Sequence, residues 1–253
     1  TSALWHVVSS TSNLPTREAQ TLTARYLVGA DGPHSKVAKV LGLSENTQFL
    51  FGQEHEYCQT NSAVTMSADV LHCFISHQWA PGYLGWALQG VKVAQIGLAR
   101  RYHIDKPETR KLNFKGFLDK IAPHIQVGDA EAAEIRAGFI PGGGVLRNVA
   151  TSRAILVGDA AGMVSPVTAG GIHTALKHGY DVGQGIAHFL NAKSAPADDP
   201  AELLVRTYPT FALKRALRLG YDCFQRDWLF NQLLGNRWFK RFAEQIYFHK
   251  RGA

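Results

Sequence analysis

The run from Arg153 to Leu190, RAILVGDAAGMVSPVTAGGIHTALKHGYDVGQGIAHFL, constrains the fold of this chain more than any other stretch. It begins with Ala154-Ile155-Leu156-Val157, a short apolar run ended by Gly158, which reads as a buried parallel strand. Asp159 stands just past its carboxyl end, where open α/β sheets bind ligands, and a carboxylate there accepts hydrogen bonds from the hydroxyls of a sugar or sugar alcohol. Ala160, Ala161 and Gly162 leave the backbone uncovered, Pro166 breaks the loop, and Gly170-Gly171 open a helix. The free N–H groups of a helix start favour phosphate or an anionic ring oxygen. From Ile172 the apolar positions Ile172, Ala175, Leu176, Gly179, Val182, Gly183, Ile186, Phe189 and Leu190 fall at helical spacing. That spacing predicts one face packed on the sheet, with Gly179 and Gly183 permitting close approach. A plain strand-loop-helix corner would need the glycines for the turn alone; the carboxylate, proline, paired glycines and helix in this order point to a ligand.

GDAAGMVSPVTAGGI resembles the second flavin-contacting motif of FAD-dependent oxidoreductases with the hydroxybenzoate hydroxylase fold, in particular the geranylgeranyl reductase-like branch. The resemblance implies FAD as cofactor, with Asp159 holding the ribityl chain and Gly158, Ala160, Pro166, Gly170 and Gly171 forming the rest of the contact. A second corner lies earlier, where Ala24-Arg25-Tyr26-Leu27-Val28-Gly29-Ala30-Asp31-Gly32-Pro33-His34-Ser35 runs from a strand through a tight turn into a helix start. It resembles the same family's DG motif, which implies that Asp31 and Gly32 lie near the flavin pyrophosphate and, in hydroxylases, influence NAD(P)H use. NAD(P)H is therefore a candidate reductant.

Between the two motifs Phe49 to Thr60, Ala63 to His77, Leu84 to Gln89 and Val91 to Arg101 show strand-like alternation or β-branched runs, as in an antiparallel sheet. Leu4 to Val8 and Thr21 to Val28 read as two further strands, and Pro107 to Ile125 as a helix. The expected fold is α/β (α+β): a partial FAD/NAD(P)-binding Rossmann-like domain from residues 1–48 and 138–197, an antiparallel-sheet substrate domain over 49–137, and a helical C-terminal segment over 198–253. The opening GxGxxG unit of the family is missing, since Gly142-Gly143-Gly144 is followed by Arg147 where a third glycine is required. The expectation is the C-terminal portion of a flavoprotein.

In Pro81-Gly82-Tyr83-Leu84-Gly85-Trp86, Tyr83 and Trp86 are candidate substrate-pocket residues by resemblance to a Tyr-x-Trp-x-Phe-Pro signature of the reductase branch. The spacing departs by one residue, and Leu88-Gln89 stand where Phe-Pro would be; core packing of both aromatics is the competing reading. Gly162 where hydroxylases carry His favours a reductase of isoprenoid double bonds or a similar hydrophobic substrate. An aromatic hydroxylase and a non-catalytic degenerate member of the family are the alternatives. No side chain is an evident general acid, base or nucleophile, so catalytic residues stay unassigned.

Cys58, Cys73 and Cys223 are odd in number and widely spaced, which argues against a disulfide framework and reads as free buried thiols. The 11 histidines show no ligand spacing, so no metal is expected. No apolar run reaches membrane-span length, and a cytoplasmic location is expected. The net charge of +7 lies entirely in residues 206–253, with 10 Lys and Arg against 3 Asp and Glu. There basic residues alternate with Leu213, Leu217, Phe224, Trp228, Trp238 and Phe242, a pattern for a peripheral membrane contact or for a cap on the substrate domain. Nucleic-acid binding is not expected, because no reader motif surrounds the charge. Oligomeric state is not legible.

Overall fold

The computed structural model describes residues 4–10, 19–58, 64, 66, 67, 69–127, 130–191, 199–224 and 226–249. A short parallel pair sits at the centre of the cofactor side: β3 (Leu27–Gly29) and β10 (Ala154–Leu156), joined by the two-residue β9 (Ala150–Thr151) in the order β3-β10-β9. Ala154, Ile155 and Leu156 are fully buried, as the continuous apolar run requires. The ladder continues beyond the strands, Val157 N–H donating to Gly29 O at 2.9 Å.

Next to it stands a five-stranded antiparallel sheet, β5-β6-β7-β4-β8, built from β4 (Phe49–Cys58), β5 (His72–Phe74), β6 (Gly85–Gln89), β7 (Val93–Tyr102) and β8 (Glu134–Pro141). Alternation along these strands separates two faces. Ala94, Ile96 and Leu98 of β7 with Ala87 and Tyr57 pack on helix α2 (Phe114–Ile121) through Phe114, Phe117 and Ile121. Leu50 and Ala99 face the other way and join Tyr83, Leu84, Trp86 and Ile140, against which Ala169 and Tyr247 pack. One face thus serves a structural core and the other looks toward the cofactor loop and the tail.

Several expectations need correction. The strand read over Thr21 to Val28 is two elements: β2 (Ala19–Ala24) pairs antiparallel with β1 (Trp5–Ser10), and β3 turns away into the parallel sheet after Arg25-Tyr26. Residues 11–18 of the intervening turn lie outside the described residues. The helix read over Pro107 to Ile125 is a 3-10 turn at Pro107–Arg110 followed by α2, because the Asn113 side chain accepts the Gly116 N–H at 3.0 Å and caps a new helix. Of the strand read over Ala63 to His77, β5 alone forms among the described residues. The domain boundary set at residue 138 cuts through β8, which pairs with β4 from Glu134 to Pro141 and so belongs to the five-stranded sheet. Cys58, Cys73 and Cys223 are free, but exposed rather than buried.

Helix α1 (Lys36–Val40) follows β3, and the long α3 (Ile172–Asn191) follows the β10 loop. On α3 the expected apolar face is only partly covered: Val182 is buried and Ile186 packs on the core, whereas Ile172 is 81% and Leu176 70% exposed. A Cβ at Gly179 or Gly183 would meet nothing within 4 Å, so these glycines do not serve close approach to the sheet. Packing therefore covers part of the apolar stripe, through Val182 and Ile186, and leaves its first turns exposed.

The C-terminal segment forms α4 (Ala201–Arg206), α5 (Ala212–Cys223), α6 (Asp227–Gly235), α7 (Arg237–Glu244) and a π turn at Gln245–His249. Tyr208, after α4, donates its hydroxyl to Leu156 O at 2.8 Å, tying the tail to the parallel sheet.

Gly29 makes the parallel pairing possible, because a Cβ there would stand 2.5 Å from Leu156 Cδ2 and 3.0 Å from Val37 Cγ1. Gly29→Ala is expected to destabilise the protein by about 1–3 kcal/mol through overpacking. Gly138→Ala, where an added Cβ meets nothing within 4 Å, should be close to neutral. Equal urea midpoints for the two variants would refute this account of the sheet.

Candidate functional site

Parallel pairing of β3 and β10 puts the two loops that leave their carboxyl ends side by side. Each loop turns on glycines in the left-handed region, Gly32 at φ +84°, Gly158 at +59° and Gly162 at +70°. At Gly162 space forbids a side chain as well, since a Cβ would lie 2.5 Å from Gly144 O.

Asp31 is absorbed by its own helix. Its carboxylate accepts from Ser35 Oγ at 2.6 Å, Lys36 N at 2.7 Å and Val37 N at 3.1 Å, while Ser35 Oγ accepts from Ala38 N at 2.9 Å. These groups occupy the free N–H donors of α1. Burial pushes the Asp31 carboxyl up, but the Ser35 hydroxyl and the backbone donors outweigh it and hold the group below the usual carboxylate range.

Asp159 differs. It sits in the short 3-10 turn Gly158–Ala161, half-buried, and among the described residues no donor is recorded for its carboxylate. Burial pushes its carboxyl above the usual range with nothing to oppose it. Gly170 and Gly171 precede the first turn of α3, and Asp159 Oδ1 is 3.5 Å from where a Cβ of Gly171 would stand. Ala160 and Pro166 are buried and expose no polar side chain. Gly171 thus stands beside Asp159, and Gly170 holds the same loop together, its carbonyl accepting the Ser165 N–H at 3.1 Å, while Asp31 and Gly32 lie on the loop that leaves β3.

The residue that joins the loops escaped the sequence reading. Asn46 donates its side-chain amide to Pro33 O at 3.0 Å and to Asp159 O at 2.9 Å, bridging the two motifs. Its only signal was an asparagine in a polar connection. Between the loops lies a polar cleft of about 300 Å³ lined by Pro33, His34, Lys36, Lys39, Asn46 and Ala160.

A larger cavity of about 570 Å³ opens on the other side, between the outward face of the five-stranded sheet and helices α5 to α7. Its wall is almost wholly apolar and includes Tyr83, Val167, Leu217, Phe230, Leu234 and Ile246. Tyr83 reaches the cofactor-side loop directly, donating its hydroxyl to Thr168 O at 2.6 Å. Trp86 stands apart from this wall: its indole covers Gly97 and its N–H donates to Glu54 at 2.8 Å. The two aromatics of the Pro81 to Trp86 stretch are thus separated, one in the cavity and one on the sheet.

The residues fit a flavin dinucleotide. A half-buried carboxylate without a protein donor suits the ribityl hydroxyls, and the bare backbone around Gly170 and Gly171 at a helix start suits an anionic group. The sign of the Asp159 effect without flavin follows from its raised pKa: its contribution to stability is fully present below the unfolded carboxylate value and is lost as pH rises through the folded value. Asp159→Asn should therefore raise the melting temperature of the flavin-free protein at pH 7, and the gain should vanish toward pH 3. FAD affinity of the same variant should fall roughly tenfold or more as a charged acceptor is lost. A lower melting temperature at pH 7 together with unchanged flavin retention would remove Asp159 from the site.

Comparison with known proteins agrees with this geometry. Residues 6–199 match the family model described as "FAD binding domain". Digeranylgeranylglycerophospholipid reductase 3 of Methanosphaera stadtmanae is 33% identical over 199 residues, covering 77% of this chain and 47% of that protein. Digeranylgeranylglycerophospholipid reductase 2 of the same organism is 30% identical over 164 residues, 63% of this chain and 40% of its own length. The chain thus spans a little under half the length of these relatives. Among solved structures, a geranylgeranyl bacteriochlorophyll reductase-like protein from Thermoplasma acidophilum superposes with a TM-score of 0.71 at 14% identity, over 92% of this chain and 62% of that one, which shows a shared fold. With both motif loops at one sheet end and the family model covering the cofactor side, this chain belongs to the FAD binding domain family.

Proposed function

We propose that this chain supplies the ribityl-contacting surface and the substrate cavity of an FAD-dependent oxidoreductase that saturates double bonds of an isoprenoid chain, with NAD(P)H as its reductant. The observation that carries this reading is the apolar cavity of about 570 Å³ bordered by Val167 and so lying against the cofactor loop. Bound FAD supplies hydride transfer, which asks of the protein mainly positioning, a dry environment and local electrostatics. Leu217, Phe230, Leu234, Phe239, Phe242 and Ile246 give the space beside that loop an apolar lining, which disfavours water there. Tyr83 keeps its proton across the neutral range, because burial and then the adjacent Tyr247 raise its pKa, so it introduces no charge into the cavity. The names of the relatives that match this chain, reductases of a digeranylgeranyl lipid, support the same substrate class.

Anaerobic mixing of reduced, FAD-loaded protein with geranylgeraniol tests the proposal. The flavin absorbance of the oxidised state should return, and the product should carry two more hydrogens for each bond reduced. Flavin that stays reduced with every prenyl alcohol tried would reject it.

Gly220, in α5, lines the cavity and a Cβ there would meet nothing within 4 Å. Gly220→Leu should stabilise the helix by about 0.5–1 kcal/mol while filling the space meant for substrate. A thermal midpoint equal to or above wild type, with slower turnover of long prenyl chains, is the expected pair of results.

Among the described residues no helix is long and apolar enough to cross a membrane. The tail nonetheless leaves Leu219, Trp228 and Trp238 more than half exposed, with Arg241 over the Trp238 ring at 5.8 Å. Aromatic residues beside basic ones suit the interface of an anionic bilayer, which would deliver a lipid substrate to the cavity between the same helices. Co-sedimentation with anionic but not neutral vesicles is expected, weakened by salt and by Arg237→Glu with Lys240→Glu. Equal recovery in both supernatants would leave the tail as a cap alone.

A further inference from the structure

Among the described residues, one charged side chain lines the apolar cavity, Arg218 of α5. Arg218 is 7% exposed, and its Nη2 is buried with no acceptor among the described residues. Its Nε lies 3.1 Å from Asp222 Oδ1, and its guanidinium covers the Tyr221 ring at 5.6 Å. Asp222 also pairs with Arg101, whose Nη2 is 2.5 Å away. Two guanidinium groups therefore converge on one carboxylate. Burial, and then the Arg101 charge, make protonated Arg218 less favourable than a free arginine, the direction expected where positive charge is in local excess.

On the far side of this group lies a second, polar cavity of about 450 Å³, lined by Gln48, His77, Arg100, Arg101, His103 and Asp222 among others. Arg100 Nε is also buried with no acceptor among the described residues. The Gly82-Tyr83 backbone divides the two spaces, Gly82 lining the polar one and Tyr83 the apolar one. Glycine at position 82 leaves this wall thin, since a Cβ would stand 3.5 Å from Arg218 Nη2. An apolar chamber of about 570 Å³ and a basic chamber thus meet at the Arg218–Asp222–Arg101 group.

We infer that this group binds the phosphate of an amphiphilic ligand whose prenyl chain lies in the apolar cavity. Arginine suits the task because its fork meets phosphate oxygens in pairs and stays charged when buried. A phosphate would give Nη2 of Arg218 its missing acceptor and balance the surplus guanidinium charge, in a place where solvent screening is weak. Asp222 then acts as the positioning residue that holds both arginines. The inference rests on the prenyl-binding role of the apolar cavity, and its test separates the two.

Binding of geranylgeranyl phosphate, geranylgeraniol and inorganic phosphate to the FAD-loaded protein is measured by calorimetry. The prenyl phosphate should bind roughly tenfold or more tightly than the alcohol, the gain expected of charge-assisted hydrogen bonds, and inorganic phosphate should compete only weakly. Arg101→Gln, which lies outside the apolar wall, should reduce the preference for phosphate while leaving the affinity for the alcohol unchanged, and Arg218→Gln should bring the ratio of prenyl phosphate to alcohol affinity toward one. Retained alcohol binding also shows that the Arg101 variant is folded, and an unchanged ratio in either variant would overturn the headgroup site. Equal binding of phosphate and alcohol by wild type would overturn the headgroup site and leave the prenyl cavity standing. Inorganic phosphate bound as tightly as the prenyl phosphate would make this a free-anion site and overturn it too. Failure of both prenyl ligands to bind would overturn the cavity reading together with it.

Discussion

Everything at the candidate site depends on the parallel pairing of Leu27–Gly29 with Ala154–Leu156. Parallel strands put both carboxyl ends on one side, so loops far apart in sequence leave the sheet together. Gly29 lets the Leu156 and Val37 side chains close over this pair where a Cβ would crowd both. Asn46 then locks the loops by giving one hydrogen to each, so that the position of Asp159 is set from the neighbouring loop as well as from its own strand. Tyr208, bonded to Leu156 O, extends the same support to the tail helices.

Two aspartates at the same sheet edge have opposite environments, one supplied with donors and one desolvated. Asp31 has its donors supplied by the helix that follows it, which favours the charged form and leaves little capacity for a ligand. Asp159 is desolvated, and among the described residues no such donors offset the burial, so its charged form is disfavoured. A buried acceptor of this kind costs stability in the free protein and is satisfied on binding. Such a conflict between local stability and placement is typical of a functional position.

The substrate side is built on a separation of faces. Alternation in the five-stranded sheet sends Ile96 and Leu98 to the α2 core and Leu50 and Ala99 to the opposite side. That second face is roofed by α5 to α7, whose apolar residues meet it across a cavity instead of filling it. Basic residues of the tail are therefore not one class. Arg218 is turned inward beside Asp222, whereas Arg241 lies over the exposed ring of Trp238.

The order of residues by itself determined the two strand-turn-helix corners, the family they resemble and the antiparallel character of the middle, because each depends on local periodicity, glycines that permit positive φ and a carboxylate one step beyond a strand. Local pattern also singles out Asp159, which stands in the turn after β10, and Tyr83, which lies in the wall of the apolar cavity. Tertiary structure decided what depends on distant segments meeting. Asn46 bridges residues 33 and 159, and Arg101 meets Arg218 and Asp222 across more than a hundred positions, pairings that no local pattern encodes. The same holds for Gly179 and Gly183, whose helical spacing was evident but whose neighbours depend on how far the sheet extends beneath α3. Periodicity states which residues share a face, and only packing states what that face meets.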